Sequence, residues 1–392
     1  MDEYIKILRN HHFFVVGEEH YTPLGVIRSL GENNIKPIVF IKKSKTTKIA
    51  SVSKYIFKLY RINDYEEALQ ILLTIYGDCK PKPFVIPCDD IAVRTFERNY
   101  EEISDKFFVN NAGKNMRIAF YQQKRELYAL AKVCGLNIAE TWSVKQGEIP
   151  QNIKFPIITK PNSSYEGWKQ DYYVCNNKKE LEEAYKRIKG KELLLQQYVE
   201  KKTELCIEGV SVNKGNSVFF AIASKYTYTL PDYYSMEMVI DNFQDEKLKK
   251  ILSKMFSTIG FEGIFEIEFM VDKKGDLWFL EINYRNSTWS YAATKLGMNL
   301  PIIWAYGELT GDIPKDVYKE VPKGYRAIAE VPDFEQRVRR FKMISFCDWV
   351  KRIVSADCLY IYSSKDIKPV ISVWFYKLLS ITRKTINRIL SR

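Results

Sequence analysis

The order of apolar and polar residues in the second half of the chain predicts a hairpin of two short strands. Apolar runs span Ile264 to Val271 and Leu277 to Ile282. Between them lies the segment Lys274 to Asp276, with Gly at its centre, which is typical of a tight turn. We therefore expect two antiparallel strands, with Glu268 of the first strand across from Glu281 of the second.

Three polar side chains share one face of the second predicted strand. Because side chains alternate between the two faces of a strand, Glu281, Asn283 and Arg285 point the same way. Carboxylate and amide oxygens suit Mg2+, and an arginine beside them can neutralise charge on a transferring phosphoryl group. The alternative is an ordinary amphipathic hairpin whose charged face is solvated.

Residues 1 to about 112 alternate apolar strands with helical stretches. The predicted strands are Phe13 to Val16, Pro37 to Ile41 and Phe84 to Pro87, and the predicted helices are Leu24 to Asn33 and Tyr65 to Tyr76. This alternation predicts a parallel sheet covered by helices. The turn Gly17 to Gly25 follows the first strand, but it lacks the Gly-X-Gly-X-X-Gly pattern of dinucleotide-binding proteins.

Two acids, Asp89 and Asp90, follow the predicted strand that ends at Pro87. Open α/β sheets bind ligands at the carboxyl ends of their strands, so Asp89 is a candidate substrate contact. A helix N-cap is the alternative explanation for Asp90. The sequence leaves both interpretations open.

A basic and hydroxyl-rich segment follows in the middle of the chain. Residues Ala119 to Val133 are predicted to form one helix that contains Lys124. An apolar strand, Phe155 to Pro161, then carries Lys160 and leads into the small-residue loop Asn162 to Gly167. A lysine ammonium and backbone N–H groups are what a polyphosphate needs, although most such loops are plain turns.

Glu-X-Phe, a turn and then Phe-Leu-Glu-Ile-Asn-X-Arg resemble the metal-binding end of the ATP-grasp superfamily. The resemblance implies that Glu268 holds one Mg2+, that Glu281 bridges two ions and that Asn283 completes the second site, with Mn2+ able to substitute. It also implies that Arg285 contacts the transferring phosphate. ATP and Mg2+ are thus the expected cofactors, and the firm part of the resemblance covers residues from about 115 to 310.

The same resemblance implies where the nucleotide binds. The expected contacts are two lysines, loop groups, a hinge strand that hydrogen-bonds adenine and an acid for the ribose: Lys124, Lys160, Ser163, Ser164, Gly167, Gln196, Gln197, Tyr198, Val199 and Glu204. The alternative for Lys124 is a solvated helical lysine, and Glu200 competes with Glu204 for the ribose. The loop Asn162 to Gly167 is the expected lid over the phosphates.

Catalytic roles are implied for Arg285 and for Lys225, which ends a predicted strand where relatives carry a basic residue for phosphate or carboxylate. The substrate carboxylate is expected beyond Arg285, near Ser287 and Thr288. The alternative for these hydroxyls is an N-cap of the helix predicted at Tyr291 to Leu296.

The resemblance implies an α/β protein in which an N-terminal Rossmann-like pre-ATP-grasp domain precedes a two-subdomain α+β ATP-grasp fold. The expected boundaries are 1–112 for the first domain, 113–312 for the ATP-grasp domain and 313–392 for a C-terminal extension. Within the ATP-grasp domain, residues 113–200 are expected to bear the lid and residues 201–312 to bind metal.

The activity implied by the resemblance is that of an ADP-forming carboxylate–amine ligase. Such an enzyme activates a small-molecule carboxylate as an acylphosphate and joins it to an amine. The chain is most similar in outline to D-aspartate ligase-like and carbamoyl-phosphate-synthase-like members, which indicates cell-surface polymer or small-peptide biosynthesis. The alternative is a catalytically inactive nucleotide-binding regulatory or scaffold protein. The acid, the amine and the oligomeric state stay open.

Composition narrows the class of protein further. None of the chain's apolar runs approaches the roughly 20 residues of a membrane-spanning helix, and residues 1–16 lack the features of a secretory signal, so we expect a cytoplasmic protein. The 7 cysteines are scattered singly, which argues against a disulfide framework or a structural zinc site. All 3 histidines lie within the first twenty residues, which leaves catalysis to lysine, arginine, carboxylates and metal.

The net charge of +12 is concentrated partly at the end of the chain. Residues 368–392 contain basic residues, no acid and enough apolar residues for one helical face, so they predict a basic amphipathic helix on an anionic membrane at the inner face. The alternative is a terminal helix packed on the body or on a partner. Elsewhere basic residues are dispersed among acids, so no nucleic-acid partner is expected.

Overall fold

The computed structural model describes residues 2–44, 47–162, 171–230 and 234–377. Within these residues the chain forms three sheets of five, four and seven strands, which follow one another along the sequence. The predicted α/β class is confirmed. The predicted division into domains stays a prediction.

The first sheet is parallel, as the alternating pattern predicted. Its strands are β1 (Phe13–Gly17), β2 (Ile38–Lys42), β3 (Lys58–Ile62), β4 (Phe84–Pro87) and β5 (Phe108–Val109), in the order β3-β2-β1-β4-β5. Its helices are α1 (Asp2–Leu8), α2 (Tyr21–Gly31), α3 (Tyr65–Ile71), α4 (Asp90–Arg98) and α5 (Tyr100–Ile103), with a π-helical turn at Leu72–Tyr76. Sequence patterns missed β3 and β5, because β3 is half-exposed and β5 is only two residues long.

The second sheet carries the phosphate-binding lysine candidates. Its elements are α6 (Arg117–Tyr121), α7 (Lys124–Cys134), β6 (Thr141–Lys145), β7 (Ile157–Pro161), β8 (Val174–Cys175), α8 (Lys178–Tyr185) and β9 (Glu192–Gln197), with strand order β6-β9-β7-β8. Gly135 ends α7 in the left-handed region with φ of 96°. This is the conformation that favours glycine at a helix end.

The prediction of one unbroken helix through Lys124 is wrong. The chain leaves the helix after Tyr121, and Gln123 is extended before α7 begins at Lys124. The backbone N–H of Lys124 donates to the carbonyl of Asn162 at 2.8 Å, just past β7. The break therefore ties the start of α7 to the strand that carries Lys160.

The third sheet contains the predicted hairpin. Its strands are β10 (Lys201–Val212), β11 (Ser217–Tyr226), β12 (Glu237–Asp241), β13 (Gly263–Asp272), β14 (Leu277–Asn283), β15 (Tyr325–Ile328) and β16 (Cys358–Leu359), in the order β14-β13-β10-β11-β12-β15-β16. Its helices are α9 (Glu246–Ile259), α10 (Ser290–Lys295), α11 (Leu300–Thr310), α12 (Glu330–Asp333) and α13 (Phe346–Val354), with a 3-10 turn at Lys315–Val317 and a π-helical stretch at Phe334–Arg340. A further 3-10 turn, Ala50–Val52, lies between β2 and β3 of the N-terminal sheet. Residues 368–377 form a further helical stretch.

Two strands of this sheet come from the predicted C-terminal extension. β15 pairs with β12 and β16 pairs with β15, so residues beyond 312 extend the same sheet that carries the hairpin. One large core lies between the N-terminal sheet and one face of this sheet, where α2, α10 and α11 pack and Trp304 is fully buried. A second core packs α7 and α9 on the other face. No helix among the described residues is long and apolar enough to cross a membrane.

Candidate functional site

The hairpin of β13 and β14 brings the predicted carboxylate and amide side chains together. Glu268 lies directly across from Glu281, and Glu266 lies across from Asn283. The Asn283 amide nitrogen donates to Glu268 at 2.7 Å and to Glu266 at 2.9 Å. The turn at residues 274–276 is present, with Gly275 in the left-handed region at φ of 92°. The local prediction of a polar cluster on one face is confirmed.

Lys124 reaches this cluster from the first residue of α7. Its Nζ lies 2.5 Å from Oε2 of Glu281, and the lysine side chain is buried. Lys124 is the main reason why the pKa of Glu281 is lowered, whereas burial, followed by repulsion from Glu281, holds the pKa of Glu268 well above its usual range. The alternative of a solvated helical lysine is therefore wrong.

Lys160 enters the same cleft from the middle of β7. Its Nζ donates to the side-chain carbonyl of Gln196 on β9 at 2.6 Å, and the Gln196 amide donates to Thr141 at 2.8 Å. Burial, followed by the nearby positive charge of Lys124, lowers the pKa of Lys160 to about 7. An anion that enters the cleft stabilises the ammonium form of such a lysine.

Arg285 is held by the N-terminal sheet. Its Nε donates to Oδ1 of Asp90 at 3.0 Å, and its Nη2 donates to Oδ2 at 3.3 Å. The neighbouring Asp89 is the N-cap of α4 and accepts the backbone N–H of Ala92 at 2.9 Å, with Tyr65 as its second donor. The cap is thus Asp89 rather than Asp90, which corrects the capping interpretation, and a substrate contact of Asp89 stays a prediction.

The donor set of the hairpin fits a hard divalent cation. The carboxylates of Glu268 and Glu281 and the side-chain carbonyl of Asn283 can each offer a metal an oxygen atom, and the carboxylates of Glu281, Glu266 and Glu204 all repel that of Glu268. Among the described residues, no group of three or more histidine, cysteine or acidic side chains is arranged as a complete metal site. Two carboxylates and one amide therefore need further oxygens from water or phosphate, as Mg2+ sites usually do.

At the strand predicted to hydrogen-bond adenine, two backbone N–H groups already have partners within the protein. The N–H of Gln197 donates to the carbonyl of Glu140 at 2.8 Å, and the N–H of Tyr198 donates to the carbonyl of Pro156 at 3.0 Å. These two donors are already engaged, and Gln196 turns its carbonyl to Lys160. Val199 follows them just beyond β9, and its contact with adenine stays a prediction.

Of the two acids proposed for the ribose, Glu204 is the better placed. Its carboxylate lies 2.5 Å from Lys201 on β10, and both side chains are largely buried. Glu200 lies at the surface and pairs with Lys273 at 2.5 Å. Glu204 also adds to the charge around Glu268, which places it on the same side of the sheet as the cluster.

Lys225 does not reach the cluster. It lies across from Leu205, whereas the adjacent Cys206 lies across from Glu268, so Lys225 is on the opposite face of the sheet and exposed. The expectation of a catalytic role for Lys225 is therefore wrong. Ser163, Ser164 and Gly167 lie outside the described residues.

The hydroxyls beyond Arg285 face the N-terminal sheet. Thr288 lies 3.2 Å from the hydroxyl of Thr22 on α2. Ser287 is buried and accepts the N–H of Trp289 at 3.1 Å, one residue before α10 begins. The helix prediction at this point is confirmed, and Ser287 serves the turn that enters it. Thr288 is the hydroxyl that faces the neighbouring sheet.

Sequence reasoning missed His20. It caps α2, where its Nδ1 accepts the N–H of Thr22 at 3.2 Å, and its side chain keeps contact with solvent. Burial by surrounding groups and the charge of Arg285 lower the pKa of His20 to about 4, so it is neutral near pH 7. Its place just past β1, at the carboxyl edge of a parallel sheet, was the one available signal.

Comparison with known proteins finds one matching protein family and several partly similar enzymes. Residues 129–289 match the family described as the ATP-grasp domain. D-alanine–D-alanine ligase of Fusobacterium nucleatum is 29% identical over 137 residues, which cover 33% of this chain and 46% of that enzyme. N5-carboxyaminoimidazole ribonucleotide synthase of Staphylococcus epidermidis is 25% identical over 133 residues, which cover 34% of this chain and 35% of that enzyme. The chain thus spans less than half the length of these curated relatives.

The overall fold agrees with that class. The structure of N5-carboxyaminoimidazole synthetase from Staphylococcus aureus complexed with ADP has a TM-score of 0.62 and 16% identity, and the likeness covers 85% of this chain and 86% of that chain. At such identity the likeness shows the fold alone. The chain contains an ATP-grasp domain, as the hairpin motif predicted.

Proposed function

We propose that this protein is an ADP-forming carboxylate–amine ligase that uses Mg-ATP. A carboxylate is first phosphorylated to an acylphosphate, and an amine then replaces the phosphate. The observation that carries the proposal is that Lys124, Lys160 and Arg285 converge on the carboxylate and amide set of the hairpin, each from a different element. Fold likeness and the partial matches to ligases support it.

The charges of the site are arranged for a nucleotide with a metal. The partly buried acids Glu268 and Glu281 are stabilised by a cation, and the lysines at 124 and 160, one buried and one partly buried, are stabilised by an anion. A metal–polyphosphate complex supplies both. Bound to the hairpin oxygens, Mg2+ would neutralise phosphate oxygens during transfer, which is the usual contribution of a metal to such a reaction.

Arg285 is positioned to hold the group that is transferred. The carboxylate oxygen of the substrate attacks the terminal phosphorus of ATP, and the bond from that phosphorus to the bridging oxygen of ADP breaks. A guanidinium beside this phosphoryl group stabilises its charge without any proton transfer. Because Asp90 holds Arg285 by two hydrogen bonds, the arginine is oriented before the nucleotide binds.

The second step needs an amine and a dry cleft. The amine nitrogen attacks the acyl carbon, the phosphate leaves, and the nitrogen loses a proton. Exclusion of water matters because an exposed acylphosphate is hydrolysed. We place the substrates where the loop after β1 faces the segment after β14, since Thr22 meets Thr288 there and His20 lies beside Arg285.

The names of the relatives indicate a broad class of substrates. The relatives are named for joining D-alanine to D-alanine and for making a carboxyaminoimidazole ribonucleotide, which are small-molecule substrates. We extend that class, a small carboxylate and a small amine, to this chain. A role in cell-surface polymer synthesis stays a prediction, because the comparisons do not favour it.

The proposal is tested by ADP release from the purified protein with ATP, Mg2+ and a panel of amino acids, hydroxy acids and amino sugars. We expect release that depends on one acid and one amine, and its loss in Glu281→Gln. Glu246→Gln, at an exposed acid of α9 that pairs with Lys249, is the matched control. ATP binding without turnover across the panel would favour the inactive scaffold alternative. Failure to bind ATP would refute both.

A further inference from the structure

Helix α13 exposes apolar residues on the side that faces away from the protein. Phe346, Val350 and Val354 follow one another at intervals of four residues, and they are 58%, 37% and 82% exposed. Trp349, one turn after Phe346 and stacked against it at 6.0 Å, is only 8% exposed and packs against Phe334 of the body at 5.0 Å. A surface helix normally keeps its apolar residues toward the core, so an exposed apolar row at helical spacing indicates a partner surface.

The last described helical stretch, residues 368–377, repeats the pattern. Ile371, Trp374 and Phe375 are 58%, 42% and 58% exposed, while Val373 is buried at 3%. Ile371 and Phe375 are four residues apart and therefore lie on the same side of the helix. Like α13, this stretch buries one of its sides and exposes apolar side chains on another.

The two rows belong to one surface. The ring of Phe334 lies 6.1 Å from Phe346 of the first row and 6.4 Å from Trp374 of the second. Lys377 lies above both Phe334 and Trp374 and pairs with Glu335 at 2.6 Å. We call the exposed residues of both rows, Phe346, Val350, Val354, Ile371, Trp374 and Phe375, the apolar face.

The apolar face is held rigidly on the protein. Arg352 of α13 donates to both carboxylate oxygens of the buried Glu237 on β12, at 2.9 and 2.7 Å. Arg337 donates to the same carboxylate at 2.8 Å. These bonds fix one side of α13 against the seven-stranded sheet, so the exposed residues cannot simply rotate inward.

Exposed cations lie in the same part of the chain as the apolar face, between residues 334 and 377. They are Arg339, Arg340, Lys342, Lys351, Lys365 and Lys368. Two acids on these elements, Glu335 and Asp348, are each paired with a cation. In sequence, residues 378–392 add Arg383, Lys384, Arg388 and Arg392 and no acid. The surroundings of the face are therefore complementary to an anionic surface.

We propose that the apolar face is a docking surface for an anionic lipid bilayer. Tryptophan and phenylalanine side chains insert at the boundary between headgroups and acyl chains, and the surrounding lysines and arginines contact anionic headgroups. The inference extends the predicted lipid contact of residues 368–392 to α13, which no sequence pattern indicated. It does not depend on the proposed ligase activity.

Vesicle flotation tests the proposal with the full-length protein. We expect flotation with vesicles that contain phosphatidylglycerol, little with phosphatidylcholine alone, and weaker flotation as salt is raised. The triple variant Phe346→Ser, Val354→Ser, Phe375→Ser should lower the bound fraction at least about tenfold. The matched control is Phe57→Ser with Val133→Ser, two apolar residues 69% and 77% exposed elsewhere.

A second variant guards against misfolding of the first. Lys351→Gln, Lys365→Gln and Lys368→Gln together leave the apolar residues intact and should weaken binding to anionic vesicles and its salt dependence. Three outcomes overturn the proposal. They are no flotation with anionic vesicles, flotation unchanged in the triple variant, and self-association of the wild type that the triple variant abolishes, which would assign the face to a second copy.

Discussion

Asp90, the first residue of α4 beside the N-terminal sheet, forms an ion pair with Arg285, which follows β14. Two hydrogen bonds make the pair, from Nε to Oδ1 at 3.0 Å and from Nη2 to Oδ2 at 3.3 Å. The pair joins residues 195 positions apart in sequence. It orients a guanidinium next to Asn283, whose carbonyl accepts from the same arginine at 3.3 Å. The N-terminal sheet thus contributes directly to the geometry of the hairpin site.

Replacing Asp90 should impair catalysis more than nucleotide binding. In Asp90→Asn one charged acceptor becomes an amide, so Arg285 loses the partner that fixes its direction. We expect kcat for substrate-dependent ADP release to fall roughly 10- to 100-fold while the KM for ATP changes little. Glu66→Gln, which removes an exposed acid of the neighbouring helix α3, should leave kcat unchanged. Normal kcat in Asp90→Asn would show that Arg285 needs no such anchor.

Lys160 should take up a proton when ATP binds. The pKa of Lys160 is about 7 because burial and the positive charge of Lys124 disfavour its ammonium form. Phosphates raise that pKa, so at pH 8 binding converts neutral lysine to ammonium and the affinity for ATP falls as pH rises above 7. Calorimetry in buffers of different ionisation enthalpy measures this uptake. The variant Lys160→Arg, whose guanidinium stays charged, should bind ATP without taking up a proton. Equal proton uptake by the wild type and the variant would show that Lys160 is not the group that is protonated.

His20 should make the protein sensitive to mild acid. Its pKa is about 4 in the folded protein and 6.5 for the free side chain. Between these values the unfolded chain binds the proton and the folded chain does not, so this stability is present above pH 6.5 and is lost as pH falls toward 4. In His20→Asn, which retains an N-cap, urea unfolding should depend less on pH between 7 and 5. His12→Asn is the control for loss of a histidine, and parallel pH curves for wild type and His20→Asn would contradict the prediction.

The fully buried pair of Arg28 and Asp366 should be important for stability. Arg28 Nε lies 3.1 Å from Asp366 Oδ2, and the guanidinium also donates to the carbonyls of Tyr360 and Ile361. Arg28→Met leaves the carboxylate buried beside unpaired carbonyls, so we expect a loss of about 3–5 kcal/mol in the free energy of unfolding.

The control for that measurement is an exposed pair of the same type. Arg98 pairs with Glu66, and both side chains are about half exposed. Arg98→Met should change the free energy of unfolding by less than about 1 kcal/mol, since solvent screens such pairs. Chemical denaturation of both variants gives the comparison. Equal losses would mean that the pair of Arg28 and Asp366 does not join α2 to the segment after β16.

Local patterns predicted much of the candidate site. The alternation around Glu281 and the glycine turn at Gly275 predicted the hairpin, its register and the shared polar face, because strand periodicity and turn geometry act over a few residues. The apolar strand around Lys160 was predicted for the same reason. Lys225 was assigned wrongly because one step in register moves a side chain to the opposite face, and only the pairing with β10 shows that step.

The sequence by itself determined the parallel N-terminal sheet, the hairpin with its carboxylates and amide, and the excess of positive charge near the chain's end. Each depends on periodicity or composition, which operate locally. Only the tertiary structure decided that Lys124 starts a new helix and meets Glu281, that Asp90 rather than Asp89 faces Arg285, and that His20 borders the cleft. These contacts join residues far apart in sequence, so their energies depend on how the sheets pack and leave no periodic signal along the chain.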